Sequence, residues 1–393
     1  MPEPVYILAA RRTPMGGFQG DFANVPAAAL GAAAVRAAVA DSGIAPEAID
    51  GVIMGNVLMA GQGQAPARQA ALGGGLPQSC PAVTINKMCG SGLKAAMDAH
   101  DQIRAGSAEV LVAGGMESMT GAPYLLAKAR GGLRMGHGEI KDSMFLDGLE
   151  DAYDRGRLMG SFAEECARDY QFTREAQDQW ALRSLERANA AIASGAFAAE
   201  ITPVSVEGRG GTVAVSVDEQ PGKARPDKIP ALKPAFARDG TVTAANSSSI
   251  SDGAAALVVA GAAAAERHGA TPLARIVGHA THAQAPALFT TAPVGAVRRL
   301  LERTGWSAGD VDLWEINEAF AVVAMAAVRD LGLDEARVNV HGGATALGHP
   351  IGASGARVLA TLIHALRRHG QRRGVATLCI GGGEAVAMAV ELA

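Results

Sequence analysis

The pattern of hydrophobic and polar positions appears twice along the chain. Residues 28–57 run from an alanine-rich helical stretch through a polar turn into an apolar strand, and residues 295–320 follow the same order. Residues 83–118 then read as strand, small-residue elbow, helix, strand and glycine turn, and residues 338–385 repeat that order. A repeated order of elements indicates an internal duplication.

Helical and strand-like periods alternate within each copy, which predicts an α/β fold of two halves, each a mainly parallel sheet flanked by helices. About 120 residues of different texture interrupt the first copy, and a structureless loop of that length is uncommon, so we expect a small inserted domain that covers a site. The predicted units are a first half at 1–120 with 244–270 returning to it, an insert at 121–243, and a second half at 271–393.

Composition narrows the class of protein. A chain of 393 residues with 49% hydrophobic residues and a net charge of −4 is typical of a soluble globular protein and does not favour a nucleic-acid partner. Its start has no signal-peptide pattern and no apolar run reaches about 18 residues, so we expect a cytoplasmic protein without a membrane partner. The four cysteines lie far apart and predict neither a disulfide framework nor a metal site: Cys80, Cys89, Cys166 and Cys379.

One cysteine stands where nucleophiles are often placed. Cys89, within TINKMCGSGLK, follows an apolar strand-like approach and precedes a helix, whose N-terminal partial charge favours a thiolate. Gly90 and Gly92 allow a sharp turn, as at other nucleophile elbows. The alternative is a small buried hydrophobic residue without a chemical role.

Three further stretches offer partners for such a nucleophile. The glycine-rich segment of the second copy contains His341 and His349, and either imidazole could act as a general base. Cys379 ends a strand before three glycines, whose backbone N–H groups could stabilise an oxyanion. Asn317 ends another strand, beside Glu318, and is weak evidence by itself.

Taken together, these stretches resemble the thiolase family, and the resemblance runs from end to end. The matching blocks are AARRTPMGGFQG, NKMCGSGLKA, AGGMESMTGAPYLL, LMGSFAEECA, TVTAANSSSISDGAAAL, EINEAFA, HGGATALGHPIGASGAR and LCIGGGEA. The resemblance implies the thiolase fold, two duplicated halves in an α-β-α-β-α layered core. It also implies condensation of two acetyl-CoA molecules to acetoacetyl-CoA and CoA, or the reverse thiolysis.

Other functions compete with that one. A degradative 3-ketoacyl-CoA thiolase would use the same residues with a roomier acyl pocket. A ketosynthase fits less well, because a second histidine would be expected where Cys379 stands. A non-catalytic acyl-CoA or lipid-binding protein would be expected to have lost one of the four catalytic groups, and all four are present.

The resemblance also implies catalytic roles. Cys89 would take the acyl group from a CoA thioester after His349 accepts its proton, and Cys379 would be the acid/base for the methyl carbon of acetyl-CoA. Asn317 would hold a water and form one oxyanion hole with His349. The backbone N–H groups of Cys89 and Gly381 would form the other.

Coenzyme A contacts are implied in the insert and at its exits, with CoA thioesters as substrates and no further cofactor. Ser248 would meet the pantetheine arm, and an arginine of the run at 223–228, Arg225, would approach the adenine or phosphates, with Lys223 as the alternative. Apolar wall positions fall on Met159, Phe236, Ala244 and Phe320. The resemblance further implies a homo-oligomer, a dimer or a tetramer.

Several positions depart from the family pattern. Leu158 and His341 stand where many relatives have a histidine and an asparagine, and Glu384–Ala385 replace a more usual Met- or Gln-Gly pair. Phe289 aligns with a methionine near the reacting acyl group. Because phenylalanine is wider and stiffer than methionine, we expect a pocket that favours short acyl chains.

Overall fold

The computed structural model describes residues 3–208 and 210–393. In chain order its strands are β1 (Val5–Arg12), β2 (Gly16–Gly17), β3 (Gly51–Gly55), β4 (Ala82–Ile85), β5 (Val110–Ser118), β6 (Tyr124–Leu125), β7 (Lys141–Asp142), β8 (Val204–Gly208), β9 (Gly211–Val215), β10 (Ser251–Gly261), β11 (Ala274–Ala283), β12 (Leu313–Ile316), β13 (Arg373–Ile380) and β14 (Glu384–Leu392).

The α-helices are α1 (Ala27–Ser42), α2 (Pro66–Gly73), α3 (Ser91–Arg104), α4 (Met159–Asp169), α5 (Arg174–Ala193), α6 (Glu219–Lys223), α7 (Ala262–Arg267), α8 (Ala292–Thr304), α9 (Ala321–Leu331), α10 (Ala344–Leu347) and α11 (Ser354–His369). Short 3₁₀ helices lie at Pro46–Ala48, Ala129–Gly131, Pro226–Ala231, Pro286–Thr291, Ala308–Asp310 and Glu335–Arg337, and a π-helical turn at Phe145–Leu149. Within the described ranges, no helix is both long and apolar enough to cross a membrane.

The duplication predicted from the sequence is visible in the sheets. The first half has the strand order β1-β10-β5-β3-β4, and the second half has the corresponding order β11-β14-β13-β12. The two sheets join at one edge, where Tyr6 and Ile7 pair with Arg275 and Ala274. Each copy therefore forms one sheet, and the pairing of β1 with β11 makes the two sheets continuous.

The expectation of mainly parallel sheets is wrong, because each sheet is mixed. β3 pairs in parallel with β4 and β5, but β10 runs antiparallel to both β5 and β1. In the second half β12 and β13 are parallel, while β14 runs antiparallel to β13 and β11. The reversal at β14 follows from the tight turn at Gly381–Gly383, in which Gly382 and Gly383 have φ of 95° and 85°.

The layered core predicted from the resemblance is confirmed. Helices α3 and α11 pack against each other between the two sheets, and their apolar side chains share one core cluster with residues of both sheets. Helices α1 and α2 cover the outer face of the first sheet, and α8 and α9 cover that of the second. The order of layers is α-β-α-β-α.

Two glycines allow the central helices to touch at their N-termini. A Cβ on Gly92 would lie 2.6 Å from the backbone nitrogen of Ala356, and one on Gly355 would lie 2.1 Å from that of Leu93. Since real Cβ atoms do not approach a backbone that closely, any larger residue would push the helices apart. The loops that precede α3 and α11, one from each half, are thereby held side by side.

The segment between β5 and β10, two paired strands, interrupts the first half. It contains two small antiparallel hairpins, β6–β7 and β8–β9, together with α4, α5 and α6. Phe162 of α4 packs with Phe289 and Phe320 of the second half, so an aromatic cluster joins the insert to that half. The boundaries at residues 121 and 243 stay predictions.

Candidate active site

Cys89 lies on the short loop between β4 and α3. The residue with positive φ is Met88, at 46°, a conformation that is uncommon for a non-glycine residue and that often marks a functional turn. The interpretation that Gly90 and Gly92 provide the turn is wrong, because neither has a positive φ. These glycines are needed for space: a Cβ on Gly90 would lie 2.4 Å from the side chain of Ile380.

The sulfur of Cys89 is a thiol rather than a thiolate in the free protein. Burial raises its pKa to about 11, and the backbone N–H groups of Gly381 and of Cys89 itself lower it by less. Burial thus opposes the effect expected of the N-terminus of α3, which stays a prediction. Cys89 needs a base before it can act as a nucleophile.

His349 has the protonation state that such a base requires. Its Nδ1 lies 2.5 Å from Oγ of Ser354, and that hydroxyl donates its proton to the carbonyl oxygen of Pro350 at 2.8 Å. In that arrangement Nδ1 carries the imidazole proton and donates to Ser354, which leaves Nε2 as an acceptor. Burial lowers the pKa of His349 to about 3, so the ring is neutral at pH 7.

The free nitrogen of His349 points to the same place as Cys89. Nε2 is buried and has no hydrogen-bond partner within residues 3–208 and 210–393. His349 and Cys89 both line a cavity of about 400 Å³, and Gly381 lines it with them. His341 does not line that cavity; it packs edge-on against Phe197. Of the two histidines that the sequence left open, His349 is the one beside the candidate nucleophile.

Cys379 lies at the end of β13 and is fully buried. It packs in an apolar cluster that includes Phe289 and Phe320. Burial raises its pKa well above the ordinary value, and the neighbouring Cys89 raises it further. The residue after the strand, Gly381, presents its backbone N–H to the Cys89 sulfur.

Asn317 follows β12 and is held by a buried arginine. Its backbone N–H donates to the carbonyl oxygen of Thr377 at 3.0 Å. Nη2 of Arg357, a fully buried side chain, lies 3.5 Å from Oδ1 of Asn317. The side-chain nitrogen of Asn317, Nδ2, is buried and has no hydrogen-bond partner in the part of the chain that the structure describes. Its two N–H groups are therefore available to donate to another group.

Sequence reasoning missed Glu117, which joins the two halves beside Cys89. This buried carboxylate accepts hydrogen bonds from the backbone N–H groups of Val57, Leu58 and Gly352 at 3.0, 3.1 and 2.8 Å, and from Nδ2 of Asn56 at 2.7 Å. Burial raises its pKa to about 7 although these bonds oppose the shift. Its position inside the apolar run of β5 gave no sign of that role.

The walls of the cavity include most positions that the resemblance assigns to coenzyme A. Ser248 lines it, and its hydroxyl donates to the carbonyl oxygen of Ala319 at 3.0 Å, so the hydroxyl oxygen is still able to accept a hydrogen bond. Apolar walls are formed by Leu158, Met159, Phe236, Ala244, Phe289 and Phe320. An apolar cleft with a few polar groups at one end is typical of a small-molecule site.

The basic residues expected to contact coenzyme A do not line this cavity. Arg225 is exposed, immediately before a 3₁₀ helix at Pro226–Ala231. Lys223 is exposed as well, and its ammonium group pairs with Glu219. The contacts of either residue with a ligand stay predictions.

Comparison with known proteins identifies the class. Residues 5–263 match the family model described as the thiolase N-terminal domain, and residues 270–392 match the thiolase C-terminal domain. The chain therefore belongs to the thiolase family. It is 51% identical over 388 residues to the acetyl-CoA acetyltransferase of Pseudomonas aeruginosa, with 98% of each chain covered. It is 50% identical over 389 residues to that of Cupriavidus necator, with 98% of this chain and 99% of the other covered.

Solved structures give the same result. The crystal structure of the acetyl-CoA acetyltransferase of Bacillus anthracis superposes with a TM-score of 0.97 at 42% identity, covering 100% of this chain and 99% of that one. A thiolase of Ascaris suum in complex with coenzyme A superposes with a TM-score of 0.94, also at 42% identity, covering 100% of both chains.

Proposed function

We propose that this protein is an acetyl-CoA acetyltransferase, which condenses two acetyl-CoA molecules to acetoacetyl-CoA and CoA and also catalyses the reverse thiolysis. The observation that carries this proposal is the meeting of Cys89 and the neutral His349 at one apolar cavity, with Cys379 buried behind it as a neighbour of Cys89. The names of the relatives at about half identity over nearly the full chain support the same substrate.

The first step is transfer of an acetyl group to Cys89. Nε2 of His349 accepts the thiol proton as the sulfur attacks the thioester carbonyl carbon, and the bond from that carbon to the CoA sulfur breaks. Cys379 gives its proton to the departing CoA sulfur and becomes a thiolate. The developing oxyanion lies against the backbone N–H groups of Cys89 and Gly381, which already face the sulfur.

The second step forms the carbon–carbon bond. The Cys379 thiolate removes a proton from the methyl group of a second acetyl-CoA, and the resulting carbanion attacks the carbonyl carbon of acetyl-Cys89. The Cys89–carbon bond breaks, and the sulfur recovers its proton from His349. The enolate oxygen is stabilised by the protonated His349 and by a water on the amide nitrogen of Asn317, which has no partner among the described residues.

This reaction uses CoA thioesters as substrates and needs no further cofactor. Ser248 and the apolar walls around Phe236 and Met159 hold the pantetheine arm, and Arg225 meets the nucleotide end outside the cavity. We also propose a cytoplasmic homo-oligomer. β4 supports the oligomer, because it is the outer strand of its sheet and Val83 on it is 48% exposed. Size-exclusion chromatography coupled to light scattering measures the molar mass in solution and hence the number of subunits.

Acetyl trapping tests the first step. Brief exposure to acetyl-CoA followed by mass spectrometry is expected to place one acetyl group per chain on the peptide that contains Cys89. Cys89→Ser is expected to fold but to lose turnover, because an alcohol has no comparable anion population at neutral pH. Labelling of another peptide, or turnover by Cys89→Ser, would contradict the assignment.

Isotope exchange separates the roles of the other two groups. Cys379→Ser is expected to accept an acetyl group but to lose exchange of the acetyl-CoA methyl protons with solvent deuterium, whereas His349→Ala is expected to acylate slowly. Exchange at the wild-type rate in Cys379→Ser would show that another group is the base.

A further inference from the structure

Three side chains of types that commonly bind metal ions, contributed by both halves of the protein, meet at the C-terminal end of α3. His100 and Asp101 lie in the last turns of that helix, and His279 lies in β11. Nδ1 of His100 and Nε2 of His279 lie 3.2 Å apart, and Oδ1 of Asp101 lies 2.9 Å from each of them. The two rings meet edge to face, with centroids 5.0 Å apart.

The three donor atoms form a triangle of the size that a metal ion requires. Tetrahedral zinc with bonds of about 2.05 Å to nitrogen and oxygen places its ligand atoms about 3.3 Å from one another. The sides of the triangle, 2.9, 2.9 and 3.2 Å, are within a few tenths of an ångström of that separation. An ion could therefore bind above the triangle after a small expansion.

We propose that His100, Asp101 and His279 form a binding site for a divalent transition-metal ion, with Zn²⁺ as the ion that the donor set suits best. Two imidazoles and one carboxylate favour zinc, cobalt or nickel over magnesium and calcium, which prefer oxygen ligands. The fourth position would be taken by water, because Asp101 faces solvent with its side chain 57% exposed.

The charges around the site are compatible with a bound cation, although two arginines oppose it. The carboxylate of Asp101 supplies the negative charge of the donor set. The opposing charges are Arg104, close to His100, and Arg303, whose guanidinium donates to the carbonyl oxygen of His279 at 2.9 Å.

The proposed ion would link the halves rather than join in the reaction. His100 follows Cys89 by eleven residues, nearly all of them in α3, and the rise of a helix places it about 16 Å away along the axis. An ion at this end of α3 would tie the helix that carries the nucleophile to the sheet of the second half. The sequence predicted no metal site because 178 residues separate Asp101 from His279.

The test is titration with Co²⁺, whose visible absorption reports its ligands. Protein freed of metal by a chelator is first alkylated with iodoacetamide, because the partly exposed Cys89 would bind the same ions through sulfur. We expect one saturable Co²⁺ per chain, displaced by Zn²⁺, without the intense near-ultraviolet bands of thiolate ligation. Zn²⁺ should also raise the melting temperature in a concentration-dependent way.

Matched variants make the outcome specific. Asp101→Asn and His279→Asn are each expected to weaken Co²⁺ binding at least about tenfold and to abolish the Zn²⁺-dependent rise in melting temperature. Asp101→Asn is the safer variant for folding, because its carboxylate is exposed, and circular dichroism checks both. His268→Asn, which removes an exposed histidine elsewhere, should bind as wild type. Absence of saturable binding in wild type, or wild-type affinity in both ligand variants, would overturn the site and leave a hydrogen-bonded trio.

Discussion

Nδ1 of His349 lies 2.5 Å from the hydroxyl oxygen of Ser354, the first residue of α11, and this bond determines which ring nitrogen faces Cys89. When the hydroxyl donates to the carbonyl oxygen of Pro350, the serine oxygen accepts from Nδ1–H of His349. The base is thus positioned by a residue that does not itself line the cavity.

Loss of that hydroxyl should slow acylation. In Ser354→Ala the ring loses the partner that fixes its tautomer and orientation, and we expect the rate constant for acetylation of Cys89 to fall about 10- to 100-fold, with little change in the KM for acetyl-CoA. Rapid-quench mass spectrometry of the acetyl-enzyme measures that rate constant.

Thr361→Val is a suitable control for Ser354→Ala. Thr361 lies two turns further along α11, is equally buried, and donates its hydroxyl to Glu200 at 3.1 Å. Ser354→Ala loses the bonds to His349 and Pro350, and Thr361→Val loses one bond to a buried carboxylate, so each should cost about 1–3 kcal/mol of unfolding free energy. Only Ser354→Ala should slow acylation; equal slowing by both variants would point to a general loss of packing.

The nucleotide end of coenzyme A should depend on Arg225 and not on Lys223. The ammonium of Lys223 is paired with Glu219, whereas the guanidinium of Arg225 has no ion pair among residues 3–208 and 210–393. We therefore expect Arg225→Gln to raise the KM for CoA in thiolysis about fivefold and Lys223→Gln to leave it within about twofold. Because the proposed contact is exposed, 0.5 M salt should reduce the effect. The opposite ranking of the two variants would transfer the contact to Lys223.

The order of helices and strands could be predicted from the sequence, because the hydrophobic periodicity of each element depends only on neighbouring residues. The two copies of alternating helical and strand patterns correspond to α3 and α11 in the centre and to matching strands in each sheet. Strand direction could not be predicted from the same pattern. A buried strand has the same continuous apolar sequence whether its neighbours are parallel or antiparallel to it. The triple-glycine turn at Gly381–Gly383 was the available signal for the β13–β14 hairpin.

Candidate site residues could be predicted where each one stands in a recognisable sequence motif. Properties that depend on burial, such as a pKa, could not be predicted. Cys89, His349 and Cys379 each stand at a recognisable strand end or glycine-rich loop. The raised pKa of Cys89 follows from its surroundings in three dimensions, which no spacing reports. Ser354 was missed because a serine at the first position of a helix reads as an ordinary helix start.

His341 should make the protein sensitive to acid. Burial lowers its pKa to about 4, so the folded protein keeps this ring neutral while the unfolded chain protonates it below about pH 6.5. Because the unfolded state then binds more protons, the unfolding free energy falls as the pH falls from about 6.5 toward 4. The contribution lost at pH 4.5 is about 2 kcal/mol.

An asparagine at position 341 cannot titrate, and it is the residue that the family resemblance leads us to expect there. His341→Asn should therefore lose less stability than wild type between pH 7 and pH 4.5, as measured by urea unfolding at both values. His137→Asn, which changes an exposed histidine, should follow wild type. If the difference between the two pH values were the same in His341→Asn and wild type, the acid sensitivity would come from other groups.

Phe289 should limit the length of the acyl chain. It lines the cavity with Cys89, is 3% exposed, and is fixed edge-on against Phe162 and Phe320 at centroid distances of 6.4 Å to each. Such a ring cannot swing aside without disturbing the cluster. A methylene that fits a pocket contributes about 0.8 kcal/mol, but forcing one into a packed site costs about 1–3 kcal/mol, so the steric cost prevails.

We therefore expect the kcat/KM for cleavage of acetoacetyl-CoA to exceed that for 3-ketohexanoyl-CoA by at least about tenfold, or roughly 1.4 kcal/mol. Phe289→Ala should narrow this ratio by admitting the longer chain, and Phe289→Met, which keeps most of the volume in a flexible side chain, should give an intermediate ratio. Steady-state thiolysis of four-, six- and eight-carbon substrates measures all three proteins. Equal efficiencies in wild type would favour the degradative 3-ketoacyl-CoA thiolase, and an unchanged ratio in Phe289→Ala would show that another wall meets the end of the chain.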